Sequence, residues 1–223
     1  MHKAFNRHIL AKTTIKRRLK MYSGITQGLF EITHVNKKPG LITYVVKLNK
    51  ELLTALKIGA SIAIDGVCQT VVALNGDEVT FNAMQETLDK TTLRDLYQGR
   101  KVSVERSLRF GDEIGGHEIA GHVIGTATVS LVRPTENNLS LTIRCPQEWM
   151  KYIFSKGFIA VDGSSLTVGA VDPIGTFELY LIPETLKVTN LGNKKVGDLV
   201  NIELDYKTKT IVDTVEKFLA SQN

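Results

Sequence analysis

Asp65-Gly66-Val67-Cys68-Gln69-Thr70-Val71 returns 97 positions later as Asp162-Gly163-Ser164-Ser165-Leu166-Thr167-Val168. The same offset joins Gly24-Ile25-Thr26-Gln27-Gly28 to Gly121-His122-Val123-Ile124-Gly125. Beyond the motif the offset becomes 98: Glu86-Thr87-Leu88 answers Glu184-Thr185-Leu186, and Val104-Glu105 answers Ile202-Glu203. The chain is therefore a tandem duplication with one residue inserted in the second copy. A period of this length is too long for a solenoid or propeller unit, so each copy is expected to be a small domain with its own core. Two equivalent pockets are the corresponding expectation.

At 223 residues, 43% hydrophobic and 23% charged, the composition is that of an ordinary soluble globular protein. The formal net charge of +5 is concentrated at the start, where residues 1–20 hold Lys3, Arg7, Lys12, Lys16, Arg17, Arg18 and Lys20 and no acid. The rest carries 21 basic against 23 acidic residues. A slightly acidic body argues against a surface for phosphate backbones, so no nucleic-acid partner is expected. Residues 1–20 lack the apolar run of a secretion signal and precede Met21. They read as a basic extension, disordered or outside the native start. No stretch approaches the roughly 18 apolar residues that cross a bilayer, so no membrane partner is expected either. Cys68 and Cys145 stand in unlike contexts, which suits a reducing cytoplasm rather than a disulfide framework.

Most of both copies reads as short strands, with apolar positions that alternate or run for four to eight residues between Gly, Asn and Asp. Examples are Ile42 to Leu48, Cys68 to Leu74, Val79 to Ala83 and Val102 to Glu105. Asn75-Gly76 predicts a type I′ hairpin, and Asp172-Pro173-Ile174-Gly175 predicts a longer turn that takes up the inserted residue. Short helices are expected at Lys50 to Ala55 and Gln147 to Ile153, and a final one from Lys209 to Ala220. There Ile211, Val212, Val215, Phe218 and Leu219 form one apolar face, to be covered by its own domain or by neighbouring subunits. Strands at this spacing predict a closed antiparallel barrel per copy, with the boundary near Phe110 to Gly116.

The repeated frame places Cys68 and Thr70, and equally Ser165 and Thr167, on one side of a strand. A thiol or hydroxyl two residues from a second hydroxyl can hydrogen-bond a flat heterocycle, and the Gly before each pair allows a tight turn and close approach of a ligand. The competing reading is that small polar residues after a turn satisfy local backbone groups. Matched placement in both copies favours a ligand site. Thr87 and Thr185 serve equally well as ligand contacts or as helix caps, and Glu86 and Glu184 read as surface groups. In Gly115-Gly116-His117-Glu118-Ile119-Ala120-Gly121-His122 the histidines are five apart and three glycines oppose a helix, so no zinc site is expected. His122 stands where the first copy has Ile25 and is a candidate proton shuttle. Lys156 can offer a cation to an anionic heterocycle. Neither a phosphate loop nor a dinucleotide fingerprint is present.

In combination and order these motifs resemble the alpha subunit of riboflavin synthase, enterobacterial type, within the lumazine-binding domain family. The resemblance covers Met21 to about Leu219. It rests on Met21-Tyr22-Ser23-Gly24-Ile25, the two repeated frames, Gly115-Gly116-His117, Gly121-His122-Val123, Lys156-Gly157-Phe158-Ile159, Ile182-Pro183-Glu184-Thr185 and the two Val/Ile-Glu pairs. It implies two tandem six-stranded Greek-key β-barrels, spanning 21–116 and 117–206, followed by a C-terminal helix over 207–223 that holds a homotrimer. It also implies dismutation of two 6,7-dimethyl-8-ribityllumazine molecules to riboflavin and 5-amino-6-ribitylaminouracil, with no metal or redox cofactor. A lumazine synthase is a further candidate partner.

Carried over by position, the first pocket comprises Gly24, Ile25, Thr26, Ser61, Cys68, Gln69, Thr70, Asn82, Ala83, Met84, Gln85, Glu86 and Thr87. The second comprises Gly121, His122, Val123, Lys156, Asp162, Ser165, Leu166, Thr167, Tyr180, Leu181, Ile182, Pro183, Glu184 and Thr185. The resemblance points to Cys68, Ser165, His122 and Lys156 as the catalytic set. Tyr22 stands where the family usually has Phe, Gln69 where it has Leu and Ile124 where many members have Asp; Gln69, on the face opposite Cys68 and Thr70, calls for a partner. The alternative is a non-catalytic lumazine- or flavin-binding relative of the same fold, in which the second copy's motifs are typically eroded. Both are intact here.

Overall fold

The computed structural model describes residues 21–222, and the expectations for residues 1–20 lie outside them. The first copy folds as β1 (Gly28–Lys38), β2 (Leu41–Lys47), β3 (Ser61–Ile64), β4 (Val67–Asn75), β5 (Glu78–Met84) and β6 (Lys101–Arg106). The second folds as β7 (Gly125–Pro134), β8 (Leu139–Arg144), β9 (Phe158–Val161), β10 (Ser164–Asp172), β11 (Thr176–Leu181) and β12 (Leu199–Leu204). Each set closes as an antiparallel barrel, in the order β1-β2-β5-β4-β3-β6 and, equivalently, β7-β8-β11-β10-β9-β12. Strict alternation drives this: Ile42, Tyr44 and Val46 of β2 lie beside Ala83, Phe81 and Val79 of the paired strand β5 on one inner face, with Tyr44 and Phe81 stacked at 5.4 Å. Closure leaves no free sheet edge in either copy.

Helices α1 (Lys50–Leu53), α2 (Gln85–Lys90), α3 (Pro183–Val188) and α4 (Tyr206–Ala220) are peripheral. Three helical expectations change in detail. α1 stops at Leu53 because Ala55 takes a left-handed φ of 54°. Gln147–Tyr152 is a 3₁₀ helix, a form used for runs too short to sustain an α-helical ladder, and it inserts Trp149 and Met150 into the second core. α4 starts at Tyr206, three residues early, because the Asp205 carboxylate caps the N–H groups of Lys207 and Thr208. Its polar side reaches the second barrel through Tyr152 to Asp213 at 2.5 Å and an ion pair between Lys151 and Glu216. Ile211, Val215, Phe218 and Leu219 stay exposed, the reverse of a helix packed on its own domain.

The turns also depart from expectation. The hairpin at Asn75 forms, but its central pair is Gly76-Asp77 and only Gly76 has positive φ, so it is not type I′. The I′ signature belongs instead to Asp65-Gly66, with φ of 44° and 79°, and Asp162-Gly163, with 45° and 84°. Each joins the paired strand ends Ile64–Val67 and Val161–Ser164. The inserted residue does lie in the loop Pro173-Ile174-Gly175, three residues between the paired Asp172 and Thr176 where the first copy has two.

The two Asp-Gly turns meet tip to tip. A Cβ on Gly66 would lie 2.4 Å from the Gly163 nitrogen, and one on Gly163 would lie 2.7 Å from the Gly66 Cα. The close approach that these glycines permit is therefore between the copies and not to a ligand. Beneath them Asp65 and Asp162 are fully buried, paired with Arg100 at 2.7 Å and Lys194 at 2.8 Å. Their other oxygens accept the backbone N–H groups of Ser103 and Asn201, which are equivalent positions, at 2.7 Å each. Those residues' side chains in turn cap the opposite copy: Ser103 Oγ accepts Asn190 N–H at 3.0 Å and Asn201 Oδ1 accepts Thr92 N–H at 2.8 Å. The barrels thus share a pseudo-twofold polar interface in which backbone N–H groups of each copy are bonded by side chains of the other, while Asn190 Oδ1 is left without a hydrogen-bond partner among the described residues.

Gly163→Ala is expected to destabilise the protein by about 3 kcal/mol, because left-handed strain adds to a backbone clash with Gly66. Gly76→Ala, where nothing lies within 4 Å, should lose only the strain of about 1–2 kcal/mol. Urea unfolding of both variants checks the difference.

Candidate active site

From the Asp-Gly turns, β4 and β10 run outward with alternating faces. Val67, Gln69 and Val71 turn into the first core, leaving Cys68 half-buried and Thr70 exposed on the other side; Ser165 and Thr167 repeat this beside Leu166 and Val168. On the neighbouring segments Asn82 and Met84, and Tyr180 and Ile182, are exposed, whereas Ala83 and Leu181 point inward. Among the carried-over residues, Gln69, Ala83, Leu166 and Leu181 are therefore core residues. Gln69 answers its expected need for a partner only in part: its Nε2 donates to the Cys68 carbonyl at 3.1 Å, while Oε1 is buried with no hydrogen-bond partner among the described residues. Asp162 belongs to the buried interface between the barrels.

Two arms cross this interface. Tyr22 and Ile119, equivalent in the repeat, form an antiparallel bridge, with Tyr22 N–H on the Ile119 carbonyl at 2.7 Å and the reverse bond at 3.0 Å. Each arm then lies on the motif of the opposite copy. The Gly24 carbonyl accepts Ser165 N–H at 2.8 Å, and the Gly121 carbonyl accepts Cys68 N–H at 3.0 Å. A Cβ on Gly24 would fall 2.5 Å from that of Ser165, and one on Gly121 2.6 Å from that of Cys68. Thr26 Oγ1 and Ser164 Oγ share a hydrogen bond of 3.1 Å. The grouping by repeat, Gly24 with Cys68 and Gly121 with Ser165, is exchanged in space.

Each motif group has a partner that the repeat comparison did not single out. The Tyr22 hydroxyl donates to Cys68 Sγ at 3.1 Å, and burial pushes the Tyr22 phenol far above its ordinary value, so it remains a donor. His117 Nδ1 lies 2.6 Å from Ser165 Oγ, with its ring stacked on Phe158 at 5.2 Å. Burial holds the His117 imidazole below its usual range and favours the neutral base. His117 has no counterpart among the repeated residues, so the duplication carried no signal for it. The adjacent Gly115-Gly116 was the available clue: a Cβ on Gly116 would lie 2.6 Å from that of Ser165.

His122 and Lys156 are exposed at the rim. Lys156 holds a left-handed φ of 67° where the first copy has Gly59, and the amides of both bond the motif strand, at the carbonyls of Val168 and Val71, at 2.8 Å each. Thr87 and Thr185 lie inside α2 and α3 and cap neither. The capping threonines are Thr91 and Thr189, whose hydroxyls donate to the Thr87 and Thr185 carbonyls at 2.7 Å each. Glu86 and Glu184 are exposed and pair with Lys90 and Lys187. A cleft of about 670 Å³ along the first arm touches only Ile25 among the carried-over residues. The outward motif faces are thus open, rimmed by exposed Ile25, Met84, Phe158, Tyr180 and Ile182.

Comparison with known proteins agrees with this duplication. The family model described as "Lumazine binding domain" matches residues 23–107 and again 120–205. Riboflavin synthase of Escherichia coli K12 is 47% identical over 203 residues, covering 91% of this chain and 95% of that protein. Riboflavin synthase of Chlamydia pneumoniae is 43% identical over 201 residues, covering 90% and 98%. Among solved structures, LumP complexed with riboflavin superposes with a TM-score of 0.77 at 27% identity, covering 82% of this chain and 99% of that one. LumP complexed with 6,7-dimethyl-8-(1'-D-ribityl) lumazine gives 0.74, also at 27% identity, covering 82% and 98%.

The arms are held by two buried carboxylates, Glu105 and Glu203. Desolvation raises each from an ordinary 4.5 to about 7, against the pull of the backbone N–H groups that bond them. Burial and the Asp162 charge likewise raise Asp65. Carboxyls raised on folding bind more protons in the native state, so their contribution to stability is full at acidic pH and lost as pH rises through the folded values. His117, lowered on folding, works oppositely below its ordinary 6.5. Three groups outweigh one, so the thermal midpoint is expected to fall between about pH 5.5 and 8. Scanning calorimetry across that range checks this, and Glu203→Gln should flatten the slope.

Proposed function

This chain belongs to the riboflavin synthase family, with two lumazine binding domains in tandem, and we propose how its own residues divide that reaction. Two molecules of 6,7-dimethyl-8-ribityllumazine exchange a four-carbon unit, giving riboflavin and 5-amino-6-ribitylaminouracil. Such a dismutation needs two copies of one substrate face to face, and a duplicated site supplies them; orientation can then carry much of the rate. The observation that carries the reading is that both copies keep the motif, each with a polar side chain partnered from an arm: Cys68 with Tyr22, and Ser165 with His117.

In this division the outward faces of β4 and β10 receive the rings. Cys68 and Ser165 polarise or add to the electrophilic ring, with neutral His117 able to take the Ser165 proton. His122 assists removal of the proton from the acidic methyl group, and Lys156 offsets the resulting negative charge. The segments at Asn82 to Thr87 and Tyr180 to Thr185 supply walls and backbone groups. The units are 21–116 and 117–206, and the exposed apolar face of α4 supports assembly of a homotrimer through 207–223. The open, apolar-rimmed motif faces support a reacting pair enclosed between the first barrel of one subunit and the second barrel of another. No helix among the described residues is long and apolar enough to cross a membrane, and we place the reaction in the cytoplasm.

Incubation with the lumazine alone, followed by riboflavin absorbance, should give one riboflavin per two substrates consumed. Stable binding without conversion would instead make the chain a non-catalytic lumazine- or flavin-binding relative of the same fold. Cys68→Ala should cut turnover on the order of a hundredfold with the thermal midpoint retained; unchanged turnover removes Cys68 from the mechanism. Lys156→Gly relieves a left-handed strain of about 1 kcal/mol. It should leave the fold as stable or more so while lowering turnover, measured by the same assay beside thermal melts.

A further inference from the structure

Glu105 and Glu203, equivalent in the duplication, are more than nine-tenths buried, and no salt bridge to either is seen among the described residues. Their oxygens are spent on the arms. Glu203 accepts Ala120 N–H at 2.7 Å and His122 N–H at 2.9 Å, straddling Gly121. Glu105 accepts the Ser23 N–H at 2.7 Å, the Ser23 hydroxyl at 2.8 Å and Gly24 N–H at 3.1 Å. The carbonyls of the residues so held, Gly121 and Gly24, are the ones that receive Cys68 N–H and Ser165 N–H. A carboxylate stripped of water to grip two or three amides is a costly way to fix a loop, and it occurs here twice at matching places. We propose that Glu203 and Glu105 are positioning residues that act across the barrel boundary: Glu203, rooted in β12, sets the Cys68 site of the first barrel, and Glu105, rooted in β6, sets the Ser165 site of the second. Each motif site is thereby set by the other barrel of its own chain. The inference rests on the riboflavin synthase reading for its catalytic consequence but not for its geometry.

Amide hydrogen exchange resolved by residue tests it on the intact chain. Glu203→Gln places an amide donor against the arm's own donors and should speed exchange of the Cys68 amide about tenfold or more, leaving the Ser165 amide unchanged; Glu105→Gln should do the reverse. Both variants should lose about tenfold or more in kcat from misplacement of the motif. Glu203→Asp, which keeps the charge but shortens the reach, should recover part of both effects and serves if the Gln variant fails to fold. Equal acceleration at both amides, or none, overturns the crossed positioning. An unaltered protein that does not convert the lumazine refutes the functional reading alone, because the exchange pattern stands independently of turnover.

Discussion

Everything in this protein is arranged around the contact of two Asp-Gly turns, backbone against backbone, above a pair of buried carboxylates. The turns need positive φ at both residues, and the approach of Gly66 to Gly163 leaves no room for a Cβ. Two negative charges this deep are tolerable because Arg100 and Lys194, each from the carboxylate's own copy, neutralise them and the Ser103 and Asn201 N–H groups bond their other oxygens, with Asn190 Nδ2 added to Asp65 from the opposite copy. The tie between the barrels comes from the side chains around them: Asn190 Nδ2 donates to Asp65 Oδ1 at 2.8 Å and Asn201 Nδ2 to the Asp65 carbonyl at 2.7 Å, both from the second copy. The cations are not repeat-equivalent, so divergence has met the same electrostatic demand from opposite ends of one repeated loop, residues 96–100 and 194–198.

The interface also fixes the chemistry of the motif strands. Cys68 and Ser165 begin just beyond the turns, where the arms cross from one copy to the other. Their amides are held by arm carbonyls and their side chains by Tyr22 and His117, so the backbone and the reactive atom of each are positioned from outside its own strand. Glu105 and Glu203 sit at the balance point of this device. Backbone donors favour their charge while burial opposes it, and the two effects leave both near neutrality, where the grip on the arms trades against overall stability. A site that must hold reactive side chains still while keeping its outer face open is a reasonable place for such a trade.

How far the sequence was legible follows from the range of each signal. Alternation in Ile42 to Leu48 or Val79 to Ala83 reports which side of a strand is apolar, and barrels follow because a single short sheet must cover its edges. The same alternation placed Cys68 with Thr70 and Ser165 with Thr167. It also showed that Gln69 faces away from them. Asn75-Gly76 predicts a type I′ hairpin and Gly66 a tight turn with close approach of a ligand; the structure puts the I′ geometry at Asp65-Gly66 and the close approach between the copies. Both dipeptides carry the same local preference, and only strand pairing decides which residues become the central two.

By itself the sequence determined the duplication, the barrel class, the strand faces and the family, because all of these depend on residue type at fixed spacing along one chain. Tertiary structure alone decided that the arms are exchanged between copies, that Asp162 is a buried interface group, that His117 rather than a repeated residue sits on Ser165, and that the α4 apolar face points outward. These outcomes depend on contacts between residues far apart in the chain. Such contacts are chosen by shape and by the need to satisfy buried polar groups, and neither leaves a periodic trace in one sequence.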